Sequence, residues 1–366
     1  MPTLDRRLLA SGLLAFVAVG TIPAILGTGL PAWSRRFDLG DGEGGTLIAA
    51  YGAGAFAAVL AGLWGVRGLT LRPGLAVMGA GAALLAWAPA WAVALGAAVV
   101  LGLGFGVVVP VVNRRFLHDF GDRGPGMLGL VNAVTGLGAI AAPLLVTAAG
   151  GASPVLLGLA GLCLLTIPLG TPEPARPAAG LPPLGDPRLL LLLFVAGAVA
   201  VEAAVTGFGA SALIGRGLSE AGAARLVSGF FAAFLLVRVG LFWLAGRLPP
   251  ALLFAAGLGG TAACAGLAAV AAGPAGAGAA FVVAGAFVGV TWPSFYVWAS
   301  ARLGGDPRLG AAIVLASQAG AVLGPLALRP ILARTGDEGM FGAVAVASAI
   351  LFLLVLPVAA RRPRPA

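Results

Sequence analysis

Twelve apolar stretches, each about 20 residues long, follow one another along this chain and are separated by short polar connections. A helix of that length crosses the hydrocarbon layer of a bilayer, which is about 30 Å thick, whereas the strands of a membrane barrel are about ten residues long and alternate in polarity. Only 10% of the residues are charged and 60% are hydrophobic, whereas about 25% of the residues of a typical water-soluble domain are charged. The sequence therefore predicts an all-α membrane protein with about twelve transmembrane helices.

The predicted spans lie near residues 8–30, 46–66, 74–91, 92–113, 126–149, 154–170, 189–213, 223–245, 250–272, 277–300, 310–332 and 339–359. The first span follows two arginines, as in a secretion signal, but it lacks a convincing cleavage site and eleven spans follow it, so we expect it to be retained. The longest connection contains six prolines and is expected to act as a semi-rigid spacer. The sequence thus predicts an N-terminal six-helix half (1–170), a cytoplasmic Pro-rich linker (171–188) and a C-terminal six-helix half (189–366).

The arginines indicate the orientation of the chain, because they are its basic residues apart from one histidine. With the N-terminus inside, fifteen arginines fall on the cytoplasmic side and six on the outer side, while Arg238 lies within a span. Cytoplasmic loops of membrane proteins carry an excess of basic residues. We therefore predict a multi-pass protein of the cell (inner or plasma) membrane with both termini cytoplasmic. This topology explains the basic residues better than nucleic-acid binding does.

The two predicted halves share landmarks at a nearly constant separation, which indicates an internal duplication. Three pairs are 180 to 183 residues apart: Pro110 and Pro293, Pro143 and Pro325, and Arg67 and Arg247. Two six-helix halves related in parallel, with a binding site between them near the middle of the bilayer, form one known transporter architecture.

Together with this duplication, the loop after the second span resembles the major facilitator superfamily. It runs Gly62-Leu-Trp-Gly-Val-Arg-Gly-Leu-Thr-Leu-Arg72 and is similar to the cytoplasmic Gly-rich basic motif of that family. The resemblance implies that Arg67 and Arg72 belong to a gating loop. An acidic residue usually precedes the first arginine of the motif, and this chain has Val66 there, which removes the usual partner of a gating ion pair.

Three spans show a narrower resemblance, to the fucose/glucose/galactose–proton symporter branch of that superfamily. Glu202 is followed six residues later by Phe208, the eighth span carries Arg238, and the fifth span has Asn132 where a histidine is often found. This resemblance implies proton-coupled uptake of a sugar. Those symporters use acidic residues in their first and fourth spans for proton coupling, and these spans contain none here.

Glu202 is the one acidic residue within a predicted span, and Arg238 in the eighth span is the matching basic residue. A charge at the centre of a membrane helix costs about 2.5–3.5 kcal/mol on insertion scales, so such residues are usually functional. A buried carboxyl group can be neutral in one conformation and ionised in another, as proton coupling requires. We expect Glu202 to couple transport to protons, and to form a buried charge pair with Arg238 unless a substrate carboxylate binds that arginine.

Polar and aromatic side chains inside the spans are the candidates for substrate binding. Amides and hydroxyls within a bundle also join helices, so each candidate has a purely structural alternative. Trp292 and Tyr296 are four residues apart and share one helical face, which suits sugars and flat organic cations alike. The predicted substrate-binding set is Asn132, Thr135, Thr206, Thr291, Trp292, Tyr296 and Gln318.

Several other features predict no chemistry. His118 lies beside acidic residues in a loop that we interpret as solvated, and Cys163 and Cys264 show no metal-ligand spacing. The glycines at 102, 104 and 106 lie within an apolar span without a preceding strand or following lysine, so they do not indicate nucleotide binding. We therefore expect no metal, no cofactor, no nucleic-acid partner and no enzymatic activity.

The sequence as a whole predicts a secondary transporter that moves a small solute by alternating access, either proton-coupled or facilitative. A neutral polar solute such as a sugar is preferred, and the expected partners are that solute, protons and membrane lipids, with the chain acting as a monomer. Efflux of hydrophobic drugs or metabolites in exchange for protons is the alternative within transport. A non-transporting membrane scaffold is the alternative outside it, although a scaffold needs neither similar halves nor a buried ionisable pair.

Overall fold

The computed structural model describes residues 5–171, 186–244, 247–303 and 307–359. Within these ranges short 3-10 turns occur at Gly121–Arg123 and Ile167–Leu169, and all the long elements are α-helices. They are α1 (Arg6–Phe37), α2 (Gly45–Leu63), α3 (Leu71–Trp87), α4 (Trp91–His118), α5 (Gly124–Ala148), α6 (Ala152–Thr166), α7 (Asp186–Gly215), α8 (Glu220–Leu244), α9 (Pro250–Val270), α10 (Pro274–Leu303), α11 (Pro307–Thr335) and α12 (Gly339–Ala359). The predicted all-α architecture is confirmed.

The helices carry the dimensions and the surface of membrane spans. In the described parts of the chain, eleven helices are long and apolar enough to cross a membrane, and α3, with 17 residues, is a shorter apolar helix. Large apolar side chains cover the outside of the bundle, with Leu165 73% and Val270 79% exposed. Lipid is the solvent in which such a surface is stable, because the bilayer core is itself apolar.

The first six helices pack mainly among themselves, as do the last six, and we use the predicted names, N-terminal and C-terminal half, for these two sets. The largest contacts between the two sets in the described part of the chain are those of α1 with α7, α2 with α11 and α5 with α8. Exchanging the two sets of helices turns the α2–α11 contact into the α8–α5 contact, and the internal duplication itself stays a prediction. Helices α3 and α6 pack together on one side, and α9 and α12 on the other. Most of the predicted linker, residues 172–185, lies outside the described residues, so its boundaries stay a prediction.

The bundle has two ends, which we name by their position in the chain. The termini face is where α1 begins and α12 ends. The opposite face carries the connections α1–α2, α3–α4, α5–α6, α7–α8, α9–α10 and α11–α12. Successive helices alternate in direction, so α5 and α8 are antiparallel, whereas α1 and α7 run the same way.

Glycine allows the close helix contacts that join elements within and between the halves. A Cβ atom on Gly102 of α4 would lie 1.9 Å from the Tyr51 carbonyl oxygen of α2, within the N-terminal half. A Cβ atom on Gly27 of α1 would lie 2.0 Å from the Thr206 carbonyl oxygen of α7, across the two halves. Small residues at such contacts let helix backbones approach, which replaces the hydrophobic attraction that lipid does not provide.

Candidate functional site

Glu202 lies close to the middle of α7, sixteen residues or about 24 Å after its start at Asp186. Its side chain is partly buried, and among the described residues no hydrogen bond or ion pair joins its carboxylate to another group. The backbone carbonyl of Glu202 accepts a hydrogen bond from the Thr206 hydroxyl (2.8 Å), so this predicted binding residue bonds first to its own helix. The Glu202 carboxyl group thus remains available to a proton or a ligand.

Arg238 of α8 is held by its surroundings instead of by a direct ion pair. Its Nε donates to the Gly289 carbonyl oxygen of α10 (3.2 Å), and its guanidinium carbon lies 4.0 Å from the centre of the Phe234 ring. Arg238 and Glu202 are close enough to interact electrostatically. Among the described residues, however, no nitrogen–oxygen distance of 4.0 Å or less joins them. The two charges therefore attract each other without a contact in this conformation.

An amide pair lies in the N-terminal half. Asn132 Nδ2 of α5 donates to Asn113 Oδ1 of α4 (2.9 Å) and to the Leu128 carbonyl oxygen (2.9 Å). The Thr135 hydroxyl donates to the Asn132 carbonyl oxygen (2.6 Å), and the side chains of all three polar residues are partly buried. Asn113 was not in the predicted binding set, although an asparagine in an apolar span was the signal for it. Within the described part of the chain, the Asn113 amide nitrogen and the Asn132 side-chain oxygen make no further hydrogen bond, so both can bind other groups.

The register between α5 and α8 brings this amide pair to the level of Arg238. Ser228 donates to the Ile140 carbonyl oxygen (2.8 Å), and the Leu235 side chain packs on Gly136, where a Cβ atom would lie 2.8 Å from it. Because the two helices are antiparallel, the next turn places Asn132 opposite Arg238, each three or four residues beyond that contact on the same helical face. The amide pair and the guanidinium thus lie at a similar depth where the halves meet.

An aromatic pair lies in the C-terminal half. Trp292 and Tyr296 of α10 stack with their ring centres 5.4 Å apart and their planes 20° apart. Trp292 Nε1 donates to the Ser317 hydroxyl of α11 (3.3 Å), and Tyr296 is 38% exposed. Gln318, the residue after Ser317, is partly buried. The stacked pair predicted from the sequence spacing is therefore present.

The remaining predicted residues are placed away from this group. Thr291 is buried, donates to the Val288 carbonyl oxygen, and presents its methyl group to Gly257 of α9, on the side of α10 that faces its own half. Arg72 donates to the Gly170 carbonyl oxygen through Nε (3.0 Å) and Nη2 (2.6 Å), which ties the chain after α6 to α3 within one half. Arg67 is exposed in its loop, and its gating role stays a prediction.

Trp298 of α10 belongs to the packed interior and not to the surface of the bundle. Its side chain is only 6% exposed. It packs against Phe254 and Phe295, with Arg302 near its ring. The reason is that the outward-facing positions of α10 near the termini face are covered by α9, so that an aromatic side chain there fills the core of the half.

Polar contacts join the two halves at the opposite face. The Gly42 N–H of the α1–α2 loop donates to Asp337 Oδ1 of the α11–α12 loop (3.2 Å). Arg329 of α11 pairs with Glu43 (3.2 Å), and Arg35 of α1 pairs with Glu220 of α8 (2.5 Å). All three contacts lie between residues of different halves, so this face is closed in the structure.

The fold is that of solved membrane transporters. A POT family transporter in complex with 5-aminolevulinic acid matches with a TM-score of 0.74 and 12% identity over 97% of this chain and 96% of that one. A variant of the nucleoside transporter NupG matches with a TM-score of 0.73 and 15% identity, over 98% of this chain and 100% of that one. The fucose:proton symporter FucP of E. coli, a major facilitator superfamily transporter, matches with a TM-score of 0.65 and 17% identity, over 97% of this chain and 98% of that one.

No protein-family model matches the sequence, and no curated protein matches it significantly. The likeness is therefore one of architecture, and it extends over nearly the whole chain in each comparison. Along nearly all of its length, this chain has the major facilitator fold that its sequence predicted, and its likeness to FucP extends to the structure.

Proposed function

We propose that this protein is a secondary transporter that carries a small polar solute across the cell membrane by alternating access. The observation that carries the proposal is the position of Glu202 and Arg238. They lie inside the bundle where the halves meet, they interact electrostatically, and they do not neutralise each other by contact. Isolated charges within a membrane are costly, so this arrangement is stable only if the site serves water, protons or a polar ligand.

Alternating access follows from how the halves are joined. In the present structure the opposite face is closed by contacts between the α1–α2 loop and the C-terminal half. Rocking one half against the other about the central site would break these contacts and open that face. If both termini are cytoplasmic, as the arginine distribution predicts, this conformation is closed toward the outside. Both halves of the site come from one chain, which supports a monomer as the working unit.

Glu202 is the proposed proton-coupling residue, because its carboxyl group, which has no hydrogen-bond partner among the described residues, can be neutralised by a proton when the site is occupied or reoriented. Its charge also acts on Arg238, so protonation would change how strongly that arginine attracts a ligand. The Asn113–Asn132 amides and the Trp292–Tyr296 stack offer hydrogen bonds and an aromatic face. That combination supports a polar solute such as a sugar over a wholly hydrophobic drug, and it requires no cofactor and no enzymatic step.

Uptake by the purified protein in proteoliposomes tests this function. Labelled sugars and lipophilic cations would be compared in the wild type, in Glu202→Gln and in Asp122→Asn, which removes an exposed acidic group from a loop on the termini face. We expect uptake of a polar solute that an inward proton gradient increases, and loss of this increase in Glu202→Gln but not in Asp122→Asn. Gradient-driven transport that is the same in all three proteins would exclude Glu202 as the coupling residue.

A further inference from the structure

The α1–α2 connection, residues 38–44, packs directly on the end of α11, and we call it the latch loop. Gly42 has a φ of +75°, and a Cβ atom on it would lie 2.9 Å from the Arg329 carbonyl oxygen and 3.0 Å from Leu332 Cβ. Glycine is therefore the residue that this position accepts without strain, because it tolerates positive φ and has no side chain. From there its N–H reaches Asp337 Oδ1 in the other half (3.2 Å).

Among the described residues, no basic side chain forms an ion pair with Asp337. Of the charged groups described, those that act on its carboxyl group are the carboxylates of Asp41 in the latch loop and of Glu338 beside it. The hydroxyl of Ser211 in α7 also faces it; this hydroxyl is buried (5% exposed) and makes no hydrogen bond of standard geometry with the described residues. On α11, the guanidinium of Arg329 pairs with Glu43.

This setting favours the protonated form of Asp337 when the face is closed. Burial raises the pKa of Asp337 above its ordinary value and is the largest influence; the Gly42 hydrogen bond lowers it, Asp41 raises it, Ser211 lowers it and Glu338 raises it. The net effect is a raised pKa. The other polar contacts that join described residues of the two halves at this face are ion pairs, Arg329–Glu43 and Arg35–Glu220, whose side chains are 41–59% exposed. Exposed pairs of this kind contribute about 0–1 kcal/mol each, so they hold the face weakly.

We propose that Asp337 is a second proton-binding site, separate from Glu202, and that protonation of its carboxyl group holds the two halves together at the opposite face. The proposal rests on the alternating-access function, because it assigns a role in one of the two conformations. A neutral Asp337 keeps an oxygen for the Gly42 N–H, gains a hydrogen to donate to a nearby acceptor, and no longer repels Asp41. An ionised Asp337 keeps the hydrogen bond but is partly buried and is repelled by two other carboxylates, those of Asp41 and Glu338.

The direction of the effect follows from linkage between proton binding and conformation. When the halves part at this face, Asp337 loses Asp41 and Gly42 and gains water, so its pKa falls toward the value of an exposed aspartate, about 3.9. The closed face then binds the proton more tightly than the open face, and acid must favour closure. The stabilisation is complete below the pKa of the open form and is lost as the pH rises through the raised pKa of the closed form. The ratio of closed to open protein changes by about tenfold for each unit that separates the two pKa values.

Distances between spin labels across the opposite face test this proposal. Ala90 before α4 and Ala275 in the first turn of α10 are exposed alanines in different halves at this face, and each would be replaced by a labelled cysteine. The full-length protein would be measured in nanodiscs between pH 8 and pH 4.5. Asp337→Asn imitates the protonated form, and Asp38→Asn makes the same change in the latch loop, at an exposed residue that does not act on Asp337.

In the labelled protein without further changes, we expect the short-distance population to grow as the pH falls. In Asp337→Asn we expect the short distance to dominate at every pH, and in Asp38→Asn we expect the original pH response. The proposal fails if acid lengthens the distance, if the distances do not respond to pH, or if Asp337→Asn keeps the full response. If both short and long distances are present but their proportions do not change with pH, only the role of Asp337 is contradicted. A single fixed distance under all conditions, including added substrate, would contradict alternating access itself.

Discussion

At the scale of single residues, glycine determines how closely α4 can approach α2. Gly102 is buried and its missing Cβ atom would overlap the Tyr51 carbonyl oxygen at 1.9 Å, whereas Gly96, on the same helix, has no neighbour within 4 Å of its Cβ position. We expect Gly102→Ala to destabilise the protein by about 1–3 kcal/mol, as overpacking does. Gly96→Ala should be neutral or stabilise the helix by up to about 1 kcal/mol, since alanine is the better helix former.

Thermal unfolding followed by tryptophan fluorescence, with the monodisperse fraction on size-exclusion chromatography as a second measurement, compares the two variants. Because both substitutions add one methyl group to the same helix, their difference isolates the contact with α2. Equal melting temperatures for the two proteins would mean that the helices can separate at this point without cost.

The residue scale also shows what sequence alone can find. Glu202 could be predicted because a carboxyl group in an apolar stretch is conspicuous and has few structural explanations. Asp337 could not, because it lies in a polar loop and its partner Gly42 is 295 positions away. The orientation of Thr291 toward α9 was hidden for a similar reason, since the apolar pattern of α10 is nearly uniform around the helix and does not indicate which face lines the interior.

At the scale of elements, the twelve helices could be predicted, but their ends could not. Helix α1 continues to Phe37 where the apolar span ends near residue 30, and α4 continues to His118 where it ends near residue 113. Hydropathy marks the part of a helix that lies in lipid, whereas backbone hydrogen bonds continue beyond it. The extra turns matter, because they carry Arg35 to its partner in the other half and Arg115 to the chain that leaves α6.

Arg115 fastens the end of α4 to the segment after α6. Its side chain is 8% exposed, pairs with Asp119 (2.7 Å) and donates to the Thr171 hydroxyl (2.6 Å). Hydrogen bonds to charged groups contribute about 1.5–3 kcal/mol, so we expect Arg115→Gln to lower the unfolding temperature by several degrees. Arg123→Gln, which removes an exposed arginine from the neighbouring turn, is the control and should leave it unchanged. A similar loss in both variants would indicate a general effect of charge on the detergent-solubilised protein.

At the scale of the whole molecule, the closed opposite face should be one of two states that every transport cycle visits. A covalent bridge across that face would then stop transport without unfolding either half. Arg35 and Glu220 are in contact across the halves, so a reducible bifunctional thiol reagent can join cysteines at these positions. Cys163 and Cys264 are buried and would be replaced by alanine beforehand.

We expect bridged Arg35→Cys/Glu220→Cys to lose uptake and to regain it after reduction, because only the relative movement of the halves is blocked. Arg35→Cys/Ala90→Cys is the matched control: it shares one cysteine, and both its positions lie in the N-terminal half at the same face, where Arg36 bonds to the Ala88 carbonyl oxygen (2.8 Å). Bridging within one half leaves that half free to rock as a body, so its uptake should continue. Uptake that persisted with the halves bridged would mean that solute crosses the membrane without opening this face. The solute would then need another route past the contacts of α1 with α7, α2 with α11 and α5 with α8.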